Sequence, residues 1–204
     1  VNKLIGNSEL IDEKTKKQLI EEVEDKFIAA LSEEAAKIPA SESGIVALDW
    51  INGRRTPDAN QALKGAIMGL SMGSDAPRVF RALVEAICFG SKKIVDRFEE
   101  EGVKIKNVVG LGGVAKKSTF VMQTMADVLD MPIKVAKSEQ APALGAAIYA
   151  AVASGIFPDV QQAKVAMGNG FDAEYYPQPE RVKTYGKLYA EYNKLGEFIE
   201  KNTK

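Results

Sequence analysis

The stretch VVGLGGVAKKS, residues 108–118, joins a short apolar run to a segment that predicts a helix, with three glycines and two lysines between. A strand that enters a helix through glycines lets the backbone come close to a ligand. The free N–H groups and the positive end of that helix then favour a phosphate. The stretch therefore predicts a strand–turn–helix unit, which is either a nucleotide site or a tight connection without a ligand.

Two known glycine motifs fit this turn only in part. The phosphate-loop motif needs a glycine five residues after its first one, and Ala115 occupies that position. The dinucleotide motif Gly-x-Gly-x-x-Ala is satisfied by Gly110, Gly112 and Ala115, but the acid that should follow the next strand, Glu139, is distant. Lys137 would suit a phosphorylated ribose. A dinucleotide-dependent reductase that binds NADPH therefore stays open as an alternative.

The segments around the turn alternate between strands and helices. We expect a helix over 118–129, a strand over about 132–136 and a helix over 141–155. Parallel strands need such crossovers, so the pattern predicts an α/β layered fold. With further strands at about 45–50 and 104–111, three strands are evident, fewer than the four to six of an ordinary sheet. Either a strand escapes the pattern or the chain begins partway into a domain.

Apolar residues at helical spacing predict further helices. We expect them over 12–37, over 62–70, from Ser74 or Asp75 to Glu101, over 159–167 and near the end of the chain. The side chains expected to face the core are Ile20, Val23, Phe27 and Leu31 in the first of these helices, Phe80, Leu83, Val84, Ile87, Cys88, Ile94, Val95 and Phe98 in the third, and Tyr185, Leu188, Tyr189, Tyr192, Leu195 and Ile199 in the last.

Composition excludes several classes of function. The 204 residues include 27 basic and 28 acidic side chains, so charge gives no case for a nucleic acid or a membrane surface as a partner. The absence of histidine removes the usual zinc sites and the Ser-His-Asp and Cys-His catalytic pairs. One cysteine, Cys88, cannot form an internal disulfide, which fits a reducing cytoplasm.

Three stretches resemble the FGGY family of carbohydrate kinases. They are LDWINGRRTPDAN (48–60), VVGLGGVAKKSTFVMQTMADVLDMPIKVA (108–136) and APALGAAIYAAVASG (141–155). The family's Gly-Glu-Arg-x-Pro loop reads Gly-Arg-Arg-Thr-Pro here, and Arg54 in place of the glutamate is similar to the branch that acts on L-ribulose. The family's adenosine segment, Gly-Gly-x-x-x-Ser/Asn, is matched from Gly112 to Ser118 with one extra residue.

This resemblance implies a ribonuclease-H-like fold of the actin and hexokinase type. Residues 1–204 would be the C-terminal, nucleotide-binding portion, a three-layer α/β arrangement with helices around a small mixed sheet. The N-terminal sugar-binding domain and its aspartate base would lie outside this chain. An actin-like or chaperone-type nucleotide switch is a further alternative outside enzymology.

The resemblance also implies an activity. The whole enzyme would use ATP and Mg²⁺ to phosphorylate L-ribulose to L-ribulose 5-phosphate, in the cytoplasm. Kinases for xylulose, glycerol or gluconate remain alternatives within the family. The partners would be the nucleotide, the sugar and the N-terminal domain of the same enzyme, with a homodimer as a candidate assembly. The chain alone would bind ATP poorly and would not turn over.

The nucleotide site implied by the resemblance centres on the glycine turn. Gly112 and Gly113 would lie near the ribose and the α-phosphate, and one of two residues, Lys117 or Ser118, near adenine. The full set of candidate residues is Gly112, Gly113, Ala115, Lys116, Lys117, Ser118 and Gly145. We assign no catalytic base and no metal ligand.

A second loop carries two arginines. Arg54 and Arg55 suit phosphate or carboxylate groups, and the resemblance places their loop at the cleft between the two domains. A surface loop held by a salt bridge is the alternative. Trp50 is expected in the core, and Asp49 is expected either to support the site or to cap a turn.

Overall fold

The computed structural model describes residues 2–203. The helices in that range are α1 Asn2–Gly6, α2 Glu13–Lys37, α3 Ala76–Glu100, α4 Gly112–Lys117, α5 Thr119–Leu129, α6 Ala141–Ala153, α7 Val160–Met167 and α8 Pro179–Asn202. The strands are β1 Val46–Ala47, β2 Ile67–Met68, β3 Val108–Gly110, β4 Ile133–Ala136 and β5 Phe171–Tyr175. No helix of this part of the chain is both long and apolar enough to span a bilayer.

A three-stranded mixed sheet lies beside the helices in the order β3-β4-β5. Strand β3 pairs with β4 in parallel, with Val108 opposite Ile133, and β5 pairs with β4 in the antiparallel direction. The first pair is joined through α4 and α5, which is the predicted strand–turn–helix–strand unit. Strands β1 and β2 form a separate antiparallel pair. The predicted fold class, helices around a small mixed sheet, is confirmed.

Side-chain caps fix where several helices begin. Asp12, Asp75 and Asp159 each accept a backbone N–H from the first turn of the helix that follows, α2, α3 and α7 respectively. Of the two residues predicted to cap α3, the structure selects Asp75. Short polar side chains before an apolar pattern are thus reliable markers of helix starts in this chain.

Helix α5 separates two apolar clusters. One of its faces contributes Phe120 and Val128 to a cluster with Trp50, Phe89, the buried tyrosines of α8 and the chain around β1. The other face contributes Met122, Ala126 and Leu129 to a smaller cluster beneath the sheet. The side chains predicted to face inward from α8 all belong to, or pack against, the first cluster, so that prediction is confirmed. Trp50 and Cys88 are buried there as expected.

One of the predicted helices is absent from the structure. The helix expected over 62–70 is wrong, because this segment is extended and contains β2. Leu48 N–H donates to Ala66 O at 2.9 Å, and Gly69 has φ +85° and lies so close to Gly44 O that a Cβ would collide with it. Contacts with the earlier chain therefore override the local helical pattern.

Strand β5 was not predicted from the sequence. Its residues, FDAEY, include two acids, and Phe171 is 51% exposed, so the stretch lacks the apolar run of a buried strand. Ala173 and Tyr175 pack against the cluster beneath the sheet. The sequence showed fewer strands than an ordinary sheet contains, and β5 is one of those it did not reveal. Strand β5 lies at the edge of the sheet, where polar and apolar side chains are expected to alternate.

The predicted inward faces of α2 and α3 are partly wrong. Ile87 is 54% exposed and Phe98 is 46% exposed on α3, and Phe27 is 44% exposed on α2. In their place, Arg81 and Glu85 of α3 are buried, each 2% exposed. A pattern of apolar residues cannot reveal a buried ion pair, because charged side chains count as the solvent face in such a pattern.

These two charged residues form a buried polar cluster. Arg81 donates to Ala35 O at 2.9 Å and to Tyr185 Oη at 2.8 Å, which joins α2, α3 and α8. Its Nε lies 2.8 Å from Oε1 of Glu85, so the two side chains form a buried ion pair. Burial raises the pKa of Glu85 to about 7, although the Arg81 guanidinium opposes that rise.

Candidate functional site

The glycine turn lies at the carboxyl end of β3. Strand β3 ends at Gly110, Leu111 is the last extended residue, and α4 begins at Gly112, which has φ +83°. Apart from its chain neighbours and the backbone of its own helix, a Cβ added at Gly112 or Gly113 would meet no atom within 4 Å. The turn is therefore open and is not filled by side chains from elsewhere in the described chain.

Gly110 has a different role from the two glycines after it. A Cβ at Gly110 would lie 2.8 Å from Cε of Met122 and 3.2 Å from Cβ of Ala115. Gly110 thus lets α4 and α5 pack closely on the strand. Ala115 itself is 6% exposed and belongs to the cluster beneath the sheet. The structure accordingly places one candidate residue, Ala115, in the core and two, Gly112 and Gly113, at an open backbone.

The three polar candidate residues, Lys116, Lys117 and Ser118, differ in the contacts that their side chains make with the rest of the described chain. Lys116 Nζ donates to Lys137 O at 2.5 Å and lies 3.1 Å from Oδ2 of Asp172, so it ties the turn to the end of β4 and to β5. Ser118 Oγ accepts the N–H of Val121 at 3.2 Å and caps α5. The side chain of Lys117 is exposed and has no hydrogen bond or ion pair with any described residue.

Helix α6 carries the remaining candidate, Gly145. A Cβ at Gly145 would also meet nothing within 4 Å. The helix, APALGAAIYAAVA, contains no charged residue, yet only Ile148 and Ala151 in it are buried. Lys116 contacts the chain just before this helix, through Lys137 O, but among residues 2–203 no hydrogen bond joins Gly145 to the turn. The place of Gly145 in a nucleotide site therefore stays a prediction.

A cavity of about 360 Å³ lies away from the glycine turn. It is enclosed by the loop of residues 51–60, here called the arginine loop, and by α3 and α8. None of the seven candidate nucleotide residues lines it. The structure thus separates the two features that the sequence singled out, the glycines and the arginines.

Arg54 is held firmly in this loop. Its Nε donates to Asp58 O at 2.6 Å, its guanidinium carbon lies 5.3 Å from the centre of the Trp50 ring, and it forms an ion pair with Glu200 of α8. The predicted alternative, a loop held by a salt bridge, therefore describes Arg54. Arg55 is exposed and has no ion pair with a described residue.

Asp49 lies at the wall of the cavity beside α8. Its Oδ1 accepts the hydroxyl of Tyr192 at 2.9 Å, and its Oδ2 lies against Gly90, where a Cβ would come within 2.7 Å. Burial raises the pKa of Asp49, and the hydrogen bond from Tyr192 partly offsets this. The contributions of Tyr192, Asn193 and Lys93 to the cavity were not predicted, because no local pattern reveals which side chains two distant helices bring together.

Comparison with known proteins gives a consistent result. The model of the FGGY family of carbohydrate kinases, C-terminal domain, matches residues 4–154. A ribulokinase from Vibrio parahaemolyticus is 44% identical over 180 residues, which is 88% of this chain and 32% of that protein. A ribulokinase from Bacillus licheniformis is 41% identical over 169 residues, covering 81% of this chain and 31% of that protein. The chain thus spans about a third of the length of these curated relatives.

Solved structures agree with this match. A xylulose kinase from Rhodospirillum rubrum superimposes with a TM-score of 0.76 at 27% identity, over 90% of this chain and 36% of that one. A gluconate kinase from Lactobacillus acidophilus gives 0.74 at 25% identity, over 85% of this chain and 35% of that one. None of the proteins named here is a dinucleotide-dependent reductase, so the reductase alternative gains no support.

Proposed function

This chain belongs to the FGGY family of carbohydrate kinases, and we propose that it is the ATP-binding part of a kinase that phosphorylates L-ribulose. The reaction would transfer the γ-phosphoryl group of ATP to the terminal hydroxyl of the sugar and release ADP and L-ribulose 5-phosphate. Relatives named ribulokinase at 44% and 41% identity favour this sugar over xylulose or gluconate. The two-thirds of those relatives that have no counterpart here would supply the sugar site.

The observation that carries the proposal is the open backbone at Gly112 and Gly113. Any other residue at Gly113 would fill the space beside the turn with a side chain, and Gly112 has a positive φ that disfavours one. Backbone N–H groups at such a turn can donate to phosphate oxygens. ATP bound here would supply the phosphoryl group, while the turn holds and orients it.

The lysines of α4 would have separate tasks. Lys116 is engaged by Asp172 and by Lys137 O, so it would hold the shape of the turn. Lys117 has no partner among the described residues and would be free to neutralise a phosphate or contact adenine. Ser118 accepts a backbone N–H but keeps its own hydroxyl proton to donate.

The described residues contain no cluster of three protein ligands that would hold a magnesium ion. Among residues 2–203 no three acidic, histidine or cysteine side chains come together as a metal site, and Asp172, which lies beside the turn, is paired with Lys116. We therefore assign no metal ligand and derive no step of the transfer through the metal.

The remainder of the enzyme would cover the open side of this chain. The exposed apolar residues of α6, together with Leu111 and Val114 beside the turn (58% and 63% exposed), suit a contact with the sugar-binding portion. Closure of the two portions would exclude water from the transferred phosphoryl group. We place the enzyme in the cytoplasm and keep a homodimer as a candidate assembly.

Nucleotide binding can be tested by NMR titration of the 204-residue chain with ADP. We expect weak, saturable shifts at Gly112 and Gly113, since the rest of the enzyme would also contribute to the site, and none with NADPH. Gly113→Val should weaken ADP binding at least tenfold, because its side chain would fill the open turn. Gly186→Val, at an equally open glycine on α8, is the control and should leave binding unchanged. Equal ADP affinity in both variants would overturn the site.

Sugar specificity can be tested together with the part of the relatives that has no counterpart in this chain. A chimaera would join the first two-thirds of the Vibrio parahaemolyticus ribulokinase to this chain, and a coupled assay would follow ADP release. We expect activity with L-ribulose above that with D-xylulose, glycerol or D-gluconate, and none from the 204-residue chain alone. A chimaera that prefers another of these substrates would refute the assignment of L-ribulose.

A further inference from the structure

We propose that the cavity between the arginine loop, α3 and α8 is a second ligand site, which takes a small hydroxylated anion such as a sugar phosphate or a sugar acid. Its volume of about 360 Å³ falls in the range of small-molecule pockets. No residue proposed for the nucleotide lines it. The cavity is therefore separate from the glycine turn.

Contacts between the arginine loop and two helices hold the walls of the cavity in place. Arg54 and Asn60 exchange two backbone hydrogen bonds across the arginine loop, at 2.9 and 3.0 Å. Asp58 forms an ion pair with Arg97 of α3 at 2.6 Å, and Arg54 pairs with Glu200 of α8. The loop is thus fixed to both helices, and a ligand would enter a preformed space with little ordering to be done on binding.

Three of the four acids that line the cavity have a cationic partner, whereas two of its three cations have no acidic partner among the described residues. Glu200 and Asp58 are already paired with arginines, and Glu197 lies 3.9 Å from Lys201. Among residues 2–203, Arg55 and Lys93 line the cavity without forming an ion pair, whereas Asp49 is the acid there that no cation offsets. Arginine and lysine together are typical of sites for phosphate or carboxylate groups.

Another part of the cavity lining, formed by Asp49 and Asn193, carries hydrogen-bond acceptors. Asp49 is half-buried, and Tyr192 is the side chain that donates to it. Burial raises the pKa of Asp49, because its carboxylate is poorly solvated. A further hydrogen-bond donor would stabilise that carboxylate. Asn193 also lines the cavity, and its buried Oδ1 has no partner. Hydroxyl groups donate to such acceptors, so the ligand combines hydroxyls with an anionic group.

Calorimetric titration of the 204-residue chain tests the site, with D-ribose 5-phosphate and D-gluconate as probes. We expect at least one of them to bind saturably, and the better one reports whether phosphate or carboxylate suits the cations. Inorganic phosphate has the anionic group without the sugar hydroxyls, and D-ribose has the hydroxyls without the anionic group. Each should bind at least tenfold more weakly than the better probe. No saturable binding of either probe, or tighter binding of ethanolamine, would overturn the proposal.

Variants locate the binding. Arg55→Ala changes an exposed side chain and should lower affinity about tenfold, and Asp49→Asn should lower it comparably while keeping the contact with Tyr192. Arg78→Ala, an arginine of α3 outside the cavity, is the control and should bind like the original chain. Gly113→Val should also leave this binding intact, which separates the site from the nucleotide site. Unchanged affinity in both Arg55→Ala and Asp49→Asn would refute the proposed ligand site in the cavity.

Discussion

Helices α3 and α8 close around their polar groups, whereas the glycine turn and α6 leave much of their surface uncovered. In the closed region, Arg81 and Glu85 are 2% exposed and Arg81 reaches three other groups. In the open region, Tyr149 of α6 is 65% exposed and no atom fills the space beside Gly113. The side chains of one region are covered within the described chain, whereas the other region exposes backbone and apolar side chains.

The largest effect is expected from breaking the buried ion pair. Arg81→Met removes the guanidinium that is paired with buried Glu85 and should lower the free energy of unfolding by about 3–5 kcal/mol. Arg78→Met, on the same helix but in a partly exposed pair with Asp75, should cost at most about 1 kcal/mol. Urea unfolding measures both changes. Similar losses in the two variants would show that the closed region does not depend on this pair.

The pH dependence of stability probes the same pair. The pKa of Glu85 is raised to about 7 in the folded chain, above the ordinary value of 4.5, so the folded state holds the proton more tightly. The stabilisation from this group is complete below pH about 4.5 and is lost as the pH rises through about 7. It amounts to about 3 kcal/mol at most, since one pKa unit corresponds to about 1.4 kcal/mol.

Glu85→Gln isolates that contribution. The variant should be less stable at acidic pH yet lose less stability than the original chain between pH 4.5 and 7. Asp49 and Asp127, whose pKa values burial also raises, remain in both proteins and cancel in the comparison. Melting temperatures across this range measure the difference. Parallel curves for the two proteins would contradict a raised pKa at Glu85.

A single added methyl group distinguishes the two kinds of glycine at the turn. Gly110→Ala would press on Met122 and Ala115 and should cost about 1–3 kcal/mol. Gly113→Ala adds its methyl to open space in a helix and should change stability by less than about 1 kcal/mol, in the stabilising direction. Thermal unfolding of both variants provides the test, and a reversed order would mean that the turn is closed in solution.

The smallest effect on stability is expected from a substitution on α6. Tyr149→Ser removes an exposed ring and should change the free energy of unfolding by no more than about 0.5 kcal/mol. The same change at buried Tyr192 removes ring contacts and the hydrogen bond to Asp49, and should cost several times more. A large loss of stability in Tyr149→Ser would show that α6 is already covered within this chain.

Local patterns predicted the elements whose contacts lie nearby in sequence. The inward face of α8 and the start of α3 at Asp75 followed from spacing and capping chemistry. The extended segment around Gly69 did not, because it is fixed by Gly44, and neither did β5, whose polar alternation suits an edge. Long-range contacts decided each of these cases.

The candidate site shows the same division. The sequence predicted a glycine turn between β3 and a helix, but it could not tell that Gly110 serves packing, since that depends on Met122 of α5. The arginine loop was also singled out from its residues. The cavity beside it became visible only when α3 and α8 were placed together, since Lys93 and Asn193 belong to no motif.

The uncharged helix α6 has a consequence for handling the chain. Its thirteen residues carry no charge, and most of them face solvent. This apolar surface favours association between copies of the chain at high concentration. Attraction between apolar surfaces weakens on cooling. Light scattering by concentrated solutions should therefore fall when they are chilled and return on warming, and Tyr149→Ser should reduce this reversible clouding.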